Sequence, residues 1–320
     1  MDKSSAAAFL CALALGIGIW IGVFIPGNTD STDQAIFRIE KGASAKDISL
    51  RLRDLGFVRF VTPFRLFLML TNTAHRLQAG DYMISRAMTP YAISQKFFRG
   101  EVIKERFTVI EGWNIQDIAL ALEAKTGISK ESFTATTQHT EEYAERFSVL
   151  KDKPDTVGLE GYLFPDTYEI SPSDNAQTIV ENMLLNMEKK MTQELRAASA
   201  ARKKSVFQIL TMASLLEKEL KTRDEKRMGA GILWTRLRIG MPLQVDATVE
   251  YARGSLYDTY KYRGLPPGPI ANPGMESIEA ALNPTESSSL YYLTKPDGTA
   301  VFSKTLEEHN TAKRLYLRRH

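Results

Sequence analysis

A chain of 320 residues with 43% hydrophobic and 25% charged residues has the composition of a folded protein large enough for two domains, which excludes an intrinsically disordered chain. The net charge of +3 is too mild to imply a nucleic-acid partner, and the basic cluster Lys313-Arg314 with Arg318-Arg319 reads as a solvated helix face. A single cysteine, Cys11, leaves no disulfide framework.

Residues 6–25, AAAFLCALALGIGIWIGVFI, run about twenty positions without a charge, the length a helix needs to cross a hydrocarbon core. No small-x-small cleavage site follows in Pro26-Gly27-Asn28-Thr29-Asp30, so a retained membrane span is expected in preference to a cleaved signal peptide. Lys3 is the only basic residue ahead of it, which assigns residues 1–5 to a cytoplasmic tip and the remainder to the far side of the membrane. Residues 26–35 read as a linker.

An internal repeat comes next. Phe37-Arg-Ile-Glu-Lys-Gly42, Asp47-Ile48, Leu52 and Gly56 recur as Phe107-Thr-Val-Ile-Glu-Gly112, Asp117-Ile118, Leu122 and Gly127. Each copy reads as a short strand, a turn at the glycine, and a helix begun near Ser44 or Asn114. With a second helix over 60–70 and a return strand over 79–84, residues 36–104 form a β-α-α-β module that resembles the LysM fold, which in other proteins binds glycan chains rich in N-acetylglucosamine. Farther on, 128–157 is polar and helical in places, 175–201 is one long helical pattern, and further helices are expected over 205–220 and 224–237. Gly264–Gly274, GLPPGPIANPG, is a stiff loop. Tyr291–Thr294 and Ala300–Ser303 flank Pro296-Asp297-Gly298 as a hairpin, and Thr305 with Glu308 caps the last helix.

The segment Ser205–Leu220, SVFQILTMASLLEKEL, carries the most chemical information. At 100° per residue, Glu217 falls within about 20° of Val206 and Leu210, while Gln208, Thr211, Ser214 and Lys218 gather on the opposite arc. An inward carboxyl in apolar surroundings has its charged form disfavoured and can act as a general acid; the bland alternative is an ion pair with Arg223 or Arg227. Glu219 sits nearer the polar edge and reads as solvated. Glu160 and Asp166 bracket an aromatic segment with Tyr162, Phe164 and Tyr168, suited to sugar stacking or to packing, and Asp246 reads as a helix cap if judged alone.

Other chemistries are weaker. Ser148-Val-Leu-Lys151, Ser173-Asp-Asn175 and Lys125-Thr-Gly127 match serine acyl-enzyme signatures in the wrong order and context. His75, His139, His309 and His320 are too scattered for a metal site, and no cofactor motif occurs, so neither metal nor cofactor is expected.

Five blocks in order, Glu160-Gly-Tyr-Leu-Phe-Pro-Asp-Thr-Tyr168, Ala213-Ser-Leu-Leu-Glu-Lys-Glu219, Leu243-Gln-Val-Asp-Ala-Thr-Val249, Gly264-Leu-Pro-Pro-Gly-Pro-Ile270 and Glu308-His-Asn310, resemble the endolytic murein transglycosylase family, the YceG-like proteins. Val245, Ala247 and Tyr257-Asp-Thr-Tyr260 depart from that pattern. The resemblance implies an α+β protein: an N-terminal transmembrane helix anchoring it in the bacterial inner membrane with its bulk on the periplasmic side, the LysM-like module, and a mixed α/β catalytic domain over 105–320. It implies non-hydrolytic cleavage of the MurNAc–GlcNAc β-1,4 bond in nascent peptidoglycan, leaving 1,6-anhydro-MurNAc ends and terminating strand elongation, with penicillin-binding synthases as partners. In it Glu217 corresponds to the catalytic glutamate, acid first and base second, while Glu160, Tyr162, Asp166, Tyr168, Gln244, Asp246, Tyr260, Asn272 and Asn310 contact the glycan, helped by donors of the Pro-Gly loop. The alternatives are a non-catalytic peptidoglycan-binding scaffold and a two-carboxylate muramidase using Glu217 and Asp246.

Overall fold

The computed structural model describes residues 3–27, 33–252 and 255–317. Residues 28–32 of the expected linker, and Arg318, Arg319 and His320 of the basic terminus, lie outside the described residues. The chain folds as two compact units, Met1–Glu105 with Glu169–Ser173, and Arg106–Tyr168 with Asp174–His320.

Side-chain caps and turn glycines set the local elements of the first unit. In chain order it holds α1 (Lys3–Phe24), β1 (Gln34–Ile39), α2 (Ala45–Asp54), α3 (Val61–Leu70), β2 (Gly80–Ser85) and α4 (Pro90–Arg99). Gly42 turns the chain at φ 83°, in the left-handed region where a Cβ is unfavourable, and Ser44 then accepts the Asp47 N–H to start α2. The strands β1 and β2 pair antiparallel with Phe37 opposite Tyr82, which turns Phe37, Ile39, Tyr82 and Ile84 toward Leu52, Phe64, Leu68 and Phe97 in one apolar core.

The expected membrane span does not survive. Among the described residues no helix is long and apolar enough to cross a membrane, which overturns the transmembrane helix over 6–25 and the single-pass inner-membrane placement built on it. The end of α1 is committed to protein: Val23 is fully buried, Phe24 stacks on Tyr91 of α4 at 5.4 Å, and a Cβ on Gly22 would meet Pro63 of α3 at 2.4 Å. What precedes that docked part, 6–21, rises only about 24 Å at 1.5 Å per residue, against about 30 Å of hydrocarbon.

Strands β3 (Glu105–Thr108) and β4 (Thr167–Ile170) fall on the division, and the second unit carries α5 (Ile115–Thr126), α6 (Lys130–Gln138), α7 (Glu141–Ala144), α8 (Ala176–Lys190), α9 (Gln193–Ala201), α10 (Val206–Glu219), α11 (Arg223–Arg238), α12 (Asp246–Tyr251), α13 (Met275–Leu282), β5 (Tyr291–Thr294), β6 (Ala300–Ser303) and α14 (Leu306–Tyr316). The sheets are two-stranded, β1–β2, β3–β4 and β5–β6, so helices form most of the core. The second copy of the repeat turns at Gly112 (φ 81°) and opens α5 with a capping box of Asn114 and Asp117. The single helix expected over 175–201 is two, because Thr192 accepts the Leu195 N–H and starts α9 afresh. At the centre runs α10, packed against α13, α11 and α12.

Candidate active site

A capping box of Ser205 and Gln208 starts α10, and its middle, Ile209–Leu216, is buried on every side, Thr211 and Ser214 included at 0% exposure. The Gly264–Gly274 loop closes over the arc expected to be polar: Ser214 Oγ donates to the Thr211 carbonyl at 2.8 Å and accepts the Ile270 N–H at 3.0 Å. Two more of the loop's N–H groups are taken, Asn272 N by the Trp113 carbonyl at 2.8 Å and Gly274 N by Glu217 Oε2 at 2.9 Å. These donors, expected to meet a sugar, hold the loop to the protein instead.

Glu217 faces inward, but its surroundings are not apolar. Lys226 Nζ donates to Oε1 at 2.8 Å with the two side chains 4% and 8% exposed, and Ser277 Oγ joins Gly274 on Oε2 at 2.7 Å. Three donors, one of them charged, satisfy this carboxylate. Beside it the Glu111 carboxyl is raised from its usual range, by burial first and the Glu217 charge second. The partner is a lysine one turn into α11 rather than Arg223 or Arg227, which bond Glu279 and the Asn283 carbonyl.

Glu219, the last residue of α10, sits differently. It is half-buried rather than solvated, because the β5–β6 hairpin covers the helix end, with Thr294 Oγ1 donating to the Glu219 carbonyl at 3.1 Å. Its Oε1 accepts the Ala247 N–H of α12 at 3.2 Å, and burial raises the carboxyl from 4.5 to about 7, with the charges of Asp246 and Glu250 adding to the shift. This carboxyl lines a cavity of about 310 Å³ together with Arg236, Gln244, Asp246, Tyr260, Tyr291 and Tyr292.

The chain bends into that cavity by a threonine clasp. Thr259 Oγ1 accepts the Val245 N–H at 2.9 Å and meets Thr248 Oγ1 at 3.0 Å, folding Leu243–Val249 back on Asp258–Tyr260. Gln244 takes φ 52°, a strained conformation for a non-glycine residue, and is exposed with Asp246 at the mouth. Asp246 accepts the Tyr260 hydroxyl and is the first residue of α12, not its cap, which is Val245. Arg236, 4% exposed, is spent on carbonyls: Nη1 donates to Leu243 at 2.5 Å and Nε to Leu290 at 2.7 Å.

The remaining predicted contacts lie elsewhere. Glu160 is walled in by Ile115 N at 3.1 Å, Tyr251 OH at 3.3 Å and Asn272 Nδ2 at 3.0 Å, and burial raises its carboxyl to about 7. Asn272, 0% exposed, also accepts the Leu163 N–H and donates to the Trp113 carbonyl, a knot that leaves nothing for a ligand. Tyr162 is fully buried, Asp166 and Tyr168 both bond Asn186, and Asn310 is exposed and does not line the cavity. Sequence reasoning missed Arg236, Tyr291, Tyr292 and His309 and misjudged Glu219; the one signal was His309, inside the block quoted for Asn310. A wider cavity of about 870 Å³, lined by Arg202, Lys204, Trp234 and Arg238, has no carboxyl but Glu286, and its cations complement the C-terminal ends of α9 and α11.

The YceG-like family matches residues 37–315. An endolytic murein transglycosylase of Bacillus subtilis (strain 168) is 34% identical over 320 aligned residues, spanning 91% of this chain and 87% of the relative. Another, from Streptococcus pneumoniae serotype 2, is 27% identical, and the alignment spans 96% of this chain and 64% of that longer protein. The crystal structure of a YceG-like protein from Listeria monocytogenes superposes with a TM-score of 0.59 at 33% identity, over 88% of this chain and 99% of its own.

Proposed function

The chain belongs to the YceG-like family, and on that footing we propose that it is a lytic transglycosylase of peptidoglycan whose proton donor is Glu219. The carrying observation is a carboxyl raised to about 7 that meets only backbone N–H groups, of Asp246 and Ala247, and opens on a cavity of about 310 Å³. Glu217, with a lysine and two further donors, is better suited to holding α10, α11 and α13 together. Glu160 shares the raised value but is held by the Ile115 N–H, the Tyr251 hydroxyl and the Asn272 amide.

The chemistry needs one group in two protonation states. Neutral Glu219 gives its proton to the glycosidic oxygen as the C–O bond breaks and its electron pair leaves with that oxygen. The resulting carboxylate takes the proton of the C6 hydroxyl of the same muramyl residue, and that oxygen closes on C1 to form a 1,6-anhydro end. No water is consumed. Gln244 and Tyr260 lie at the mouth where they can orient the strand.

A second reading has its own observation. Asp246 lines the same cavity, so a two-carboxylate hydrolase with Glu219 as acid and Asp246 as base is also compatible with the residues. The Tyr260 hydroxyl already occupies an Asp246 oxygen that would have to hold the attacking water, which favours the first reading. Mass spectrometry of murein digested by the purified full chain separates them: anhydro ends support the transglycosylase, reducing ends the hydrolase. Glu219→Gln is expected to lose at least about a hundredfold in rate; near-native turnover in that variant would refute the assignment.

A further inference from the structure

The cavity of about 870 Å³ lies within the second unit, beside the start of α10, where Lys204 precedes the Ser205 cap. Glu217 and Glu219 stand at the other end of that helix, about 20 Å away at 1.5 Å per residue, and neither lines this cavity. Its walls are pinned. Thr285 N donates to the Arg227 carbonyl at 2.9 Å and Arg227 Nε donates to the Asn283 carbonyl at 3.0 Å, which holds residues 284–287 against α11. The Trp234 indole donates Nε1 to the Ala281 carbonyl at 3.0 Å, so the ring is anchored, and Lys204 Nζ lies over it at 4.7 Å from the centroid.

The charge of the cavity exceeds what its framework needs. Arg202, Lys204 and Arg238 share it with one carboxylate, Glu286, and among the described residues none of these four side chains forms an ion pair. The C-terminal ends of α9 and α11 each offset about half a positive charge. With Glu286 counted as well, an excess of about one positive charge remains. Ser287 Oγ, also in the wall, accepts the Ser289 N–H at 3.0 Å and keeps its own proton to donate.

A concave space of this size fits a small ligand rather than a flat protein face. Guanidinium forks pair with carboxylates or phosphates, and an indole takes up aliphatic carbon. A carboxylate in the wall repels a compact dianion but accepts an ammonium. The complement of this arrangement is a short acidic peptide that carries one free amine. Resting on the peptidoglycan reading, but not on which glutamate reacts, we propose that the cavity is an accessory site for the peptide stems of the substrate. Arg202 and Arg238 hold stem carboxylates, Glu286 holds the amine, and Trp234 packs on the chain between them. A stem seated there tethers the strand while its glycan is cut at the far end of α10, so the site acts on KM and leaves kcat alone.

Calorimetric titration of the full chain reads the site without turnover. The probe is an N-terminally acetylated stem tetrapeptide whose third residue bears a free amine. It is expected to bind about tenfold more tightly than the same peptide with its carboxylates amidated, the combined scale of two exposed ion pairs. Arg202→Gln with Arg238→Gln changes two exposed positions and is expected to erase that advantage while melting with the parent. Glu286→Gln is expected to weaken the probe and to strengthen its fully acetylated form, because the carboxylate attracts an ammonium and repels a peptide that lacks one. In murein digestion the double arginine change should raise KM about tenfold on stem-bearing strands, with kcat unchanged and both constants unchanged on stem-free glycan. Tighter binding of inorganic pyrophosphate than of the peptide, a Glu286→Gln variant that shifts both peptides the same way, or parental affinity in the double arginine variant overturns the inference. Failure of the peptidoglycan reading shows separately, as a parent chain that cuts neither stem-bearing nor stem-free strands.

Discussion

Replacing Glu217 by Gln removes the counter-charge of an ammonium that is 4% exposed while keeping the shape of the side chain. Breaking one half of a buried pair costs about 3–5 kcal/mol, because the remaining charge stays desolvated and uncompensated. Two features of this site set the value at the lower end. The glutamine oxygen can still accept from Ser277 and Gly274, and the Glu111 carboxyl stays close enough to Lys226 to feel its charge. The expectation is a loss of about 3 kcal/mol, or roughly 6–12 °C in melting temperature for a unit of this size. The double change Glu217→Gln with Lys226→Met removes both charges and should recover most of it. Thermal unfolding of the full-length variants measures this, with murein turnover normalised to folded protein alongside. If Glu217→Gln melts with the parent but turnover collapses, the carboxylate is catalytic and the assignment of the two glutamates must be exchanged.

Proton donation by Glu219 at about 7 predicts a kcat/KM that falls tenfold per pH unit above that value, since at pH 8 roughly one carboxyl in ten is still protonated; a limb near pH 4.5 would place the proton on an ordinary solvated acid. Glu160 carries a related prediction for stability. Its folded value of about 7 lies above the unfolded 4.5, so the folded state binds the extra proton and its contribution is present below 4.5 and lost as pH rises through 7, on the order of 2–3 kcal/mol. Glu160→Gln should flatten the fall in melting temperature between pH 5 and 8, and an unaltered slope would assign the proton uptake elsewhere. Gly231→Ala places a Cβ 2.0 Å from the Thr285 carbonyl oxygen, forcing α11 off residue 285; a loss of about 1–3 kcal/mol in urea unfolding is expected, with turnover per folded molecule unchanged, and an unchanged urea midpoint would disprove the close contact.

Much of the fold is written locally. The strand, glycine and capped helix of each repeat copy form where the spacing predicts them, as do the Tyr291–Thr294 hairpin and the Thr305–Glu308 capping box, because caps and tight turns depend on residues three or four positions apart. The helical pattern over 175–201 is harder to divide, since one threonine cap interrupts a periodicity that continues on both sides. The apolar run of α1 misleads for a different reason. Composition reports what a segment could dissolve in, not what it packs against, and here Pro63 and Tyr91 occupy its end.

The sequence by itself determined the family resemblance and the central helix. Only the tertiary structure decided which environments Glu217 and Glu219 receive. A helical wheel ranks faces by assuming that one of them meets water, and the middle of α10, Ile209–Leu216, is buried all round, so its periodicity cannot separate an inner side from an outer one there. The groups that distinguish the two positions arrive from distant segments. Lys226 and Ser277 close on one, while Ala247 and Thr294 frame the other and leave a cavity beside it.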